Sequence, residues 1–472
     1  MATQGLATQG LAQGLTRRCA TIRLLTAAML AACCASPALA QNNGPFPPLP
    51  LWLFGVQAQA QAPAPATGSV PPGTPREWSG LDGASGDPNM TADAIRAAAS
   101  NFPACLEQLR ALAAKRGVSR ASFDKHVSGL TPDLAIMDLV DAQPEFTRAL
   151  WDYLDLLVSE ARIQTGKEML VQHKVAFEKM EKAYGVDRYI IAAIWGVESK
   201  YSAQSGDRPV IRSTATLACI GRRQTFFTNE FLAALEILHR GDVQAEHLKG
   251  SWAGAFGPTQ FMPTTFKRFA VDFDNDGRRD VVDSVPDMLA STANNLKKDG
   301  WQTGESWGYE VVVPKGFNYL LADRARQKSV QEWEALGIRR PAGKPFPRSR
   351  DRAYLLVPAG NQGPAFLMLQ NFHVLMKYNP AESYALAIGY LADRLRGGAP
   401  LVQPWPRHEA VLSRQERREL QSLLLRRGFD GGEPNGRLGA KARAAVRDFQ
   451  ASVGLVPDGF ASATILARLR SD

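Results

Sequence analysis

One carboxyl stands out for the company its pattern keeps. In Asp187-Arg-Tyr-Ile-Ile-Ala-Ala-Ile-Trp-Gly-Val-Glu198-Ser-Lys-Tyr201, Asp187 can cap a helix on which Ile190, Ile194, Val197 and Tyr201 recur on one face. Glu198 falls on that apolar stripe. A carboxyl so placed is costly to ionise, and its pKa is expected to rise toward neutrality, as a general acid requires. The same pattern also suits a buried glutamate held by a salt bridge or backbone amides. A second cluster follows, Lys249-Gly-Ser251-Trp-Ala-Gly254-Ala-Phe-Gly257-Pro-Thr-Gln260-Phe261-Met-Pro263. Its glycines permit close backbone approach, Ser251 and Gln260 offer hydrogen bonds, and Trp252 and Phe261 offer apolar faces, which together suit a sugar. A tight connection between helices would use the same residues.

A third cluster points to a metal. Asp272-Phe-Asp274-Asn-Asp276-Gly277-Arg278-Arg-Asp280-Val-Val-Asp283 follows the EF-hand frame, with oxygen ligands at positions 1, 3, 5, 9 and 12, Gly at 6 and a backbone carbonyl from Arg278 at 7. Calcium is the expected ion, in a structural role. Asp283 in the twelfth place reaches less easily than Glu for bidentate contact, which weakens binding. An Asp-rich turn without an ion is the plainer alternative. Zinc is disfavoured, because His126, His173, His239 and His373 show no paired ligand spacing. No G-x-S-x-G elbow or phosphate loop is present, and no catalytic cofactor is expected.

The elements that must position these groups are mainly helical. Runs such as Ala104 to Ala114, Pro144 to Ala161 and Lys167 to Tyr184 are interrupted by Gly117, Gly166 and Gly185. Residues 300 to 365 break the pattern with β-like runs Tyr309 to Val313 and Tyr354 to Val357, and helix returns at Tyr384 to Arg396. The 472-residue chain is long enough for several folded units, and its 45% hydrophobic and 21% charged content excludes wholesale disorder. A net charge of +9 suits an anionic partner, but no dense Lys/Arg block recommends nucleic acid.

Residues 1–40 read as an export signal, with Arg17, Arg18 and Arg23 before the apolar stretch Leu24 to Ala32. Cleavage after Ala38-Leu39-Ala40 and a lipobox, Leu30-Ala31-Ala32-Cys33, compete; the second would lipidate Cys33 and anchor the chain to the outer membrane. Residues 41–88 are rich in Pro, Gln and Ala and are expected to be a disordered tether. A catalytic domain then spans 90–397, a linker 398–410 and a small module 411–470. In that module three short amphipathic helices would bury Leu420, Leu424, Val446 and Phe449. Of five cysteines only Cys105 and Cys219 fall in the folded region, and in an oxidising compartment they should pair.

The motifs Trp-Gly-Val-Glu198-Ser, Lys-Gly-Ser251-Trp-Ala-Gly-Ala-Phe-Gly, Gln260-Phe-Met-Pro, the loop from Asp272, and Gln370-Asn371-Phe-His-Val-Leu-Met-Lys-Tyr378-Asn-Pro-Ala-Glu-Ser-Tyr384 together resemble the membrane-bound lytic transglycosylase B family. The tail resembles the peptidoglycan-binding type 1 module. The resemblance implies an α+β, mainly α fold: a lysozyme-like core with a small β-containing subdomain and a three-helix C-terminal domain. It implies Glu198 as the single acid/base, and Ser251, Gln260, Asn371, Tyr378 and Tyr384 as glycan-site residues, beside Phe261. The implied reaction cleaves peptidoglycan strands at the MurNAc-GlcNAc bond to leave 1,6-anhydro ends, in the periplasm and as a monomer. Two readings stay open: a hydrolytic muramidase using Asp207 to place water, and a non-catalytic wall-binding lipoprotein.

Overall fold

The computed structural model describes residues 77–83, 85–140 and 149–471. The export signal, Cys33 and most of the tether lie outside these residues. The end of the expected tether, from residue 77, is folded onto the domain. Ser79 donates its Oγ proton to Asp138 at 2.6 Å, and the Arg96 guanidinium lies over the Trp78 ring. No helix among the described residues is long and apolar enough to cross a membrane.

The helix Arg188–Ser199 is the centre of the molecule. Asp187 caps it by accepting from Tyr189 N at 2.8 Å. The sequence suggests one apolar stripe; instead every residue from Ile190 to Ser199 is buried. Neighbours cover the remaining faces: Glu160–Gln172, Lys174–Tyr184, Val285–Lys298 and Glu382–Leu395 all pack against it. Ala192 and Ala193, which look neutral in a helical wheel, are small enough to let those helices approach, and Gly196 leaves room for the Tyr201 ring. Gly166, expected as a break, lies inside Glu160–Gln172. A Cβ there would stand 2.1 Å from the Tyr201 hydroxyl, so its role is close approach rather than termination. The actual break falls at His173, and Gly185 ends the following helix in the left-handed conformation.

The β-like runs form a four-stranded antiparallel sheet in the order Gly308–Val311, Ala365–Met368, Arg352–Leu356, Lys328–Ser329. Its alternation divides two cores. Tyr354, Leu356, Phe366 and Met368 join the helical core, while Ala353, Leu355, Ala365 and Leu367 join Trp333 and Val330 on the other face.

The C-terminal helices Arg414–Arg426, Ala440–Ser452 and Ala463–Ser471 bury Leu420, Leu424, Val446 and Phe449 as expected. The Gly- and Pro-rich stretch 397–406 that leads into this module reads as a mobile linker, but the module is docked. Arg443 Nη2 bonds Glu382 Oε2 at 2.5 Å, Arg447 pairs with Asp323, and Asp458 Oδ2 accepts from Asn361 N at 3.0 Å. The linker is itself held. Val402 N and Gln403 N donate to Glu310 Oε1 at 2.8 and 3.1 Å, and Trp405 packs against Trp151. A Gly/Pro composition reads as flexible only when nothing along it finds a partner.

Cys105 and Cys219, 114 positions apart in sequence, are joined, with 6.0 Å between their Cα atoms. The bridge ties Phe102–Lys115 to Val210–Cys219. Cys105→Ala with Cys219→Ala should lower stability by about 2–5 kcal/mol, since a loop of this length puts the freed chain entropy of the unfolded state at the upper end of that range. Denaturant unfolding of the double variant under oxidising conditions checks this; an unchanged midpoint would show that the link adds nothing.

Candidate active site

Glu198 sits in the last turn of the central helix with 4% of its surface exposed. Beyond it the backbone turns sharply, with Lys200, Tyr201 and Ser202 all at positive φ (51°, 57° and 75°). Three consecutive non-glycine residues in that region are costly, and the surroundings hold them there. Ser202 N donates to Ser199 Oγ at 2.9 Å, and Trp195 Nε1 donates to Ser202 Oγ at 2.9 Å. The Tyr201 ring folds back beneath the helix, where a Cβ on Gly196 would approach it to 2.6 Å. This clamp stops the helix one residue after the acid.

Tyr384, wholly buried on Glu382–Leu395, donates its hydroxyl proton to Glu198 Oε1 at 2.6 Å. Burial raises its pKa well above the usual tyrosine value, and the Glu198 charge raises it further, so the phenol stays a donor. Burial and then Glu198 do the same to Tyr378. Tyr378 donates to the Thr259 carbonyl, joining the helix Gln370–Tyr378 to the glycine-rich loop.

That loop begins where Lys249–Gly250 pairs with Arg208–Pro209. Ser251 N donates to Ala255 O at 2.8 Å and Ser251 Oγ accepts from Ala255 N at 3.1 Å, closing a tight hairpin. Only glycine fits at 250, because a Cβ would lie 1.9 Å from the Ala255 carbonyl oxygen. Gln260, at φ 54°, donates from Nε2 to Ser205 O at 2.9 Å and Gly257 O at 3.0 Å, bracing the loop against the segment after Glu198. Its Oε1 is buried without a hydrogen-bond partner among the described residues.

Two of the expected glycan-site residues have other duties. Asn371 is fully buried; its Nδ2 donates to Gln302 O and Glu305 O, and its Oδ1 accepts from Gln302 N, so its amide is spent on pinning that turn. Phe261, 1% exposed, pairs by backbone with Phe256 and gives its ring to the core. Asp207, the alternative second carboxylate, is exposed on its loop.

The acidic loop departs from the twelve-residue frame at its end. Oxygens of Asp272, Asp274, Asp276 and Asp287 lie within 4.8 Å of one another. Asp283 instead pairs with His247, while Asp280 accepts from Val282 N and Asp283 N at 2.9 Å. Burial raises the pKa of Asp287, against the amides of Phe273, Asp280 and Asp274. Four converging carboxylates, one buried, fit an oxygen-ligated calcium ion. Asp287 escapes a sequence reading because it lies past the frame, where it looks like the first-turn acid of Val285–Lys298. Beside Gln260 and Tyr378 a cavity of about 290 Å³ opens, lined also by Arg268, Asn295, Asp299 and Lys377. Of these four only Lys377 falls within a motif, next to Tyr378.

The transglycosylase SLT domain model matches residues 101–393, and a peptidoglycan binding domain model matches 413–469. The chain is 45% identical to SltB3 from Pseudomonas aeruginosa, whose structures hold NAG-anhNAM-pentapeptide and NAG-NAM-pentapeptide; the likeness covers 78% of this chain and 99% of that one with a TM-score of 0.76. It is 26% identical over 309 residues to membrane-bound lytic murein transglycosylase B of Escherichia coli K12, covering 62% of this chain and 83% of that protein. The Escherichia coli lytic transglycosylase Slt35 in complex with calcium is 26% identical, covering 67% of this chain and 95% of that one with a TM-score of 0.52. With a buried glutamate at the end of its central helix, a neutral tyrosine bonded to it and a match spanning most of the described residues, the chain belongs to the transglycosylase SLT domain family and is a lytic transglycosylase.

Proposed function

We propose that the protein cleaves the β-1,4 bond between N-acetylmuramic acid and N-acetylglucosamine in peptidoglycan without water, leaving 1,6-anhydro-muramyl ends, with Glu198 as its one acid/base. The bond from Tyr384 to Glu198 carries this reading, because it holds a buried carboxyl in one orientation. Glu198 protonates the glycosidic oxygen as the C1–O4 bond breaks. As carboxylate it then takes the proton of the muramyl 6-hydroxyl while O6 closes onto C1. Hydrolysis needs a second carboxylate, at ~5–5.5 Å for retention or ~6.5–9.5 Å for inversion. The exposure of Asp207 disfavours it in that part. Mass spectrometry of digested sacculi decides: 1,6-anhydro ends support the proposal, and reducing ends alone would assign a muramidase.

Ser251 and Gln260 shape the glycan wall of the site, and the C-terminal module grips the insoluble polymer. Such a substrate suits a periplasmic enzyme, held at the outer membrane if Cys33 is lipidated. The carboxylates of Asp272, Asp274, Asp276 and Asp287 would hold a structural calcium ion that takes no part in bond cleavage, a reading supported by the calcium complex of Slt35. Calcium at about a hundred times its Kd should then add about 2.7 kcal/mol of stability. Thermal melts with and without chelator check it. Asp287→Ala should abolish the calcium-dependent rise and Asp283→Ala should keep it; the reverse pattern would restore the twelve-residue frame.

A further inference from the structure

The glycine-rich loop that carries Ser251 and Gln260 runs directly into the helix Pro263–Phe269. That helix has seven residues, and Met262 before it gives no side-chain cap. A helix this short is marginal by itself, and its first N–H groups need acceptors from elsewhere. Pro263 has no N–H, so the first such donor is Thr264 N. Glu230, on the neighbouring helix Gln224–Arg240 and 1% exposed, meets it: Oε2 accepts from Thr264 N at 2.9 Å and Oε1 accepts from Thr264 Oγ1 at 2.7 Å. Burial raises the pKa of this carboxyl, and the two bonds from Thr264 act against the rise. A carboxyl in a core is costly unless its partners are fixed, so the pairing holds Thr264 as firmly as it holds Glu230.

Gln260 depends on that anchor. Its φ of 54° is costly for a residue with a side chain, and it persists only where the chain is fixed on both sides. On one side Phe256 and Phe261 exchange backbone hydrogen bonds at 2.9 Å, and Gly257 packs so closely that a Cβ would lie 2.9 Å from the Val281 carbonyl oxygen. On the other side the chain passes through Met262 and Pro263 straight to Thr264. Held at both ends, Gln260 keeps its bonds to Ser205 O and Gly257 O, and Thr259 O stays in reach of Tyr378. Glu198 has supports of its own in Tyr384 and the Trp195–Ser202 bond. Loss of Glu230 therefore loosens the loop and leaves the acid in place.

We propose that Glu230 is a positioning residue for glycan binding: from the neighbouring helix it fixes Thr264, and through Thr264 it holds the backbone of Gln260 in the shape that meets the glycan. The proposal rests on the reading of Ser251 and Gln260 as the glycan wall. Glu230 touches no substrate, and because the wall binds rather than reacts, its effect lies in KM.

The test measures kcat and KM of full-length variants on one soluble muropeptide oligomer. Glu230→Ala should raise KM about tenfold and keep kcat within about twofold of the parent. Glu230→Gln should restore the parent KM, since its amide oxygen accepts from Thr264 N and its amide N–H donates to Thr264 Oγ1. Thr264→Ala keeps the backbone donor and loses the hydroxyl, so its KM should rise less; the double variant should be no worse than Glu230→Ala alone. Lys267→Met breaks the pair with Glu236 that ties the same two helices, and it should leave KM unchanged. An equal rise in Lys267→Met would reduce Glu230 to general helix docking and overturn the proposal. A parent KM in Glu230→Ala, or in Thr264→Ala where Glu230→Ala fails to fold, would overturn it too. Gln260→Ala separates the two readings: a raised KM there beside a parent KM in Glu230→Ala rejects the positioning role alone, and a parent KM in Gln260→Ala rejects the glycan wall itself.

Discussion

Glu198→Gln should lower lytic turnover by about 10³-fold while sacculus binding and the melting temperature hold. The amide keeps the size of the carboxyl, and its oxygen can still accept the proton that Tyr384 donates to Oε1. The loss is therefore chemical: an amide neither delivers a proton to the leaving oxygen nor removes one from the 6-hydroxyl. Release of soluble muropeptides from sacculi measures the rate, and co-sedimentation with sacculi measures binding. Lysis by Glu198→Gln at the parent rate would reject Glu198 as the acid/base. A carboxylate at Asp207 would then be the next to examine, and Asp207→Asn is the control, expected to leave most of the activity.

Glu382→Ala should cost about 3 kcal/mol and release the C-terminal module. Glu382 accepts from Arg324 Nη2 at 3.1 Å and from Arg443 Nη2 at 2.5 Å, so its removal leaves two guanidinium groups facing each other at a largely buried junction. The remaining ties, Arg447 with Asp323 and Asp458 with Asn361 N, must then work against that repulsion. Residues 397–410 should become sensitive to protease, and the melt should lose its high-temperature part. Glu382 also opens the helix that carries Tyr384 two residues later, so turnover of a short soluble muropeptide should fall as well. Unaltered protease resistance and melting would mean that docking rests on the Phe460, Trp405 and Trp151 contacts instead. This junction changes what removing residues 411–472 tests, since the truncation alters the surroundings of Glu382 and also takes away a wall-binding module.

Much of this molecule is local and therefore legible without coordinates. Helix periodicity, an Asp cap and an apolar setting mark Glu198; glycine density marks the loop from Lys249; alternation marks the sheet; thiol count and compartment mark the Cys105–Cys219 bridge. Each depends on spacing along one element or on composition. What could not be read is how elements from distant parts of the chain meet. No periodicity says that Tyr384 reaches Glu198, that Asn371 is spent on the Gln302 turn, or that Asp287 replaces Asp283 among the converging carboxylates. The same holds for Gly166, which has the composition of a helix break and the function of a seat for the Tyr201 ring, and for a Gly/Pro linker held by Glu310 and Trp151. The sequence by itself determined which residues can do the chemistry, because residue type and helical phase are properties of a single segment. Only the tertiary structure decided which partner each one has, because a hydrogen bond or an ion pair depends on distances that packing alone sets.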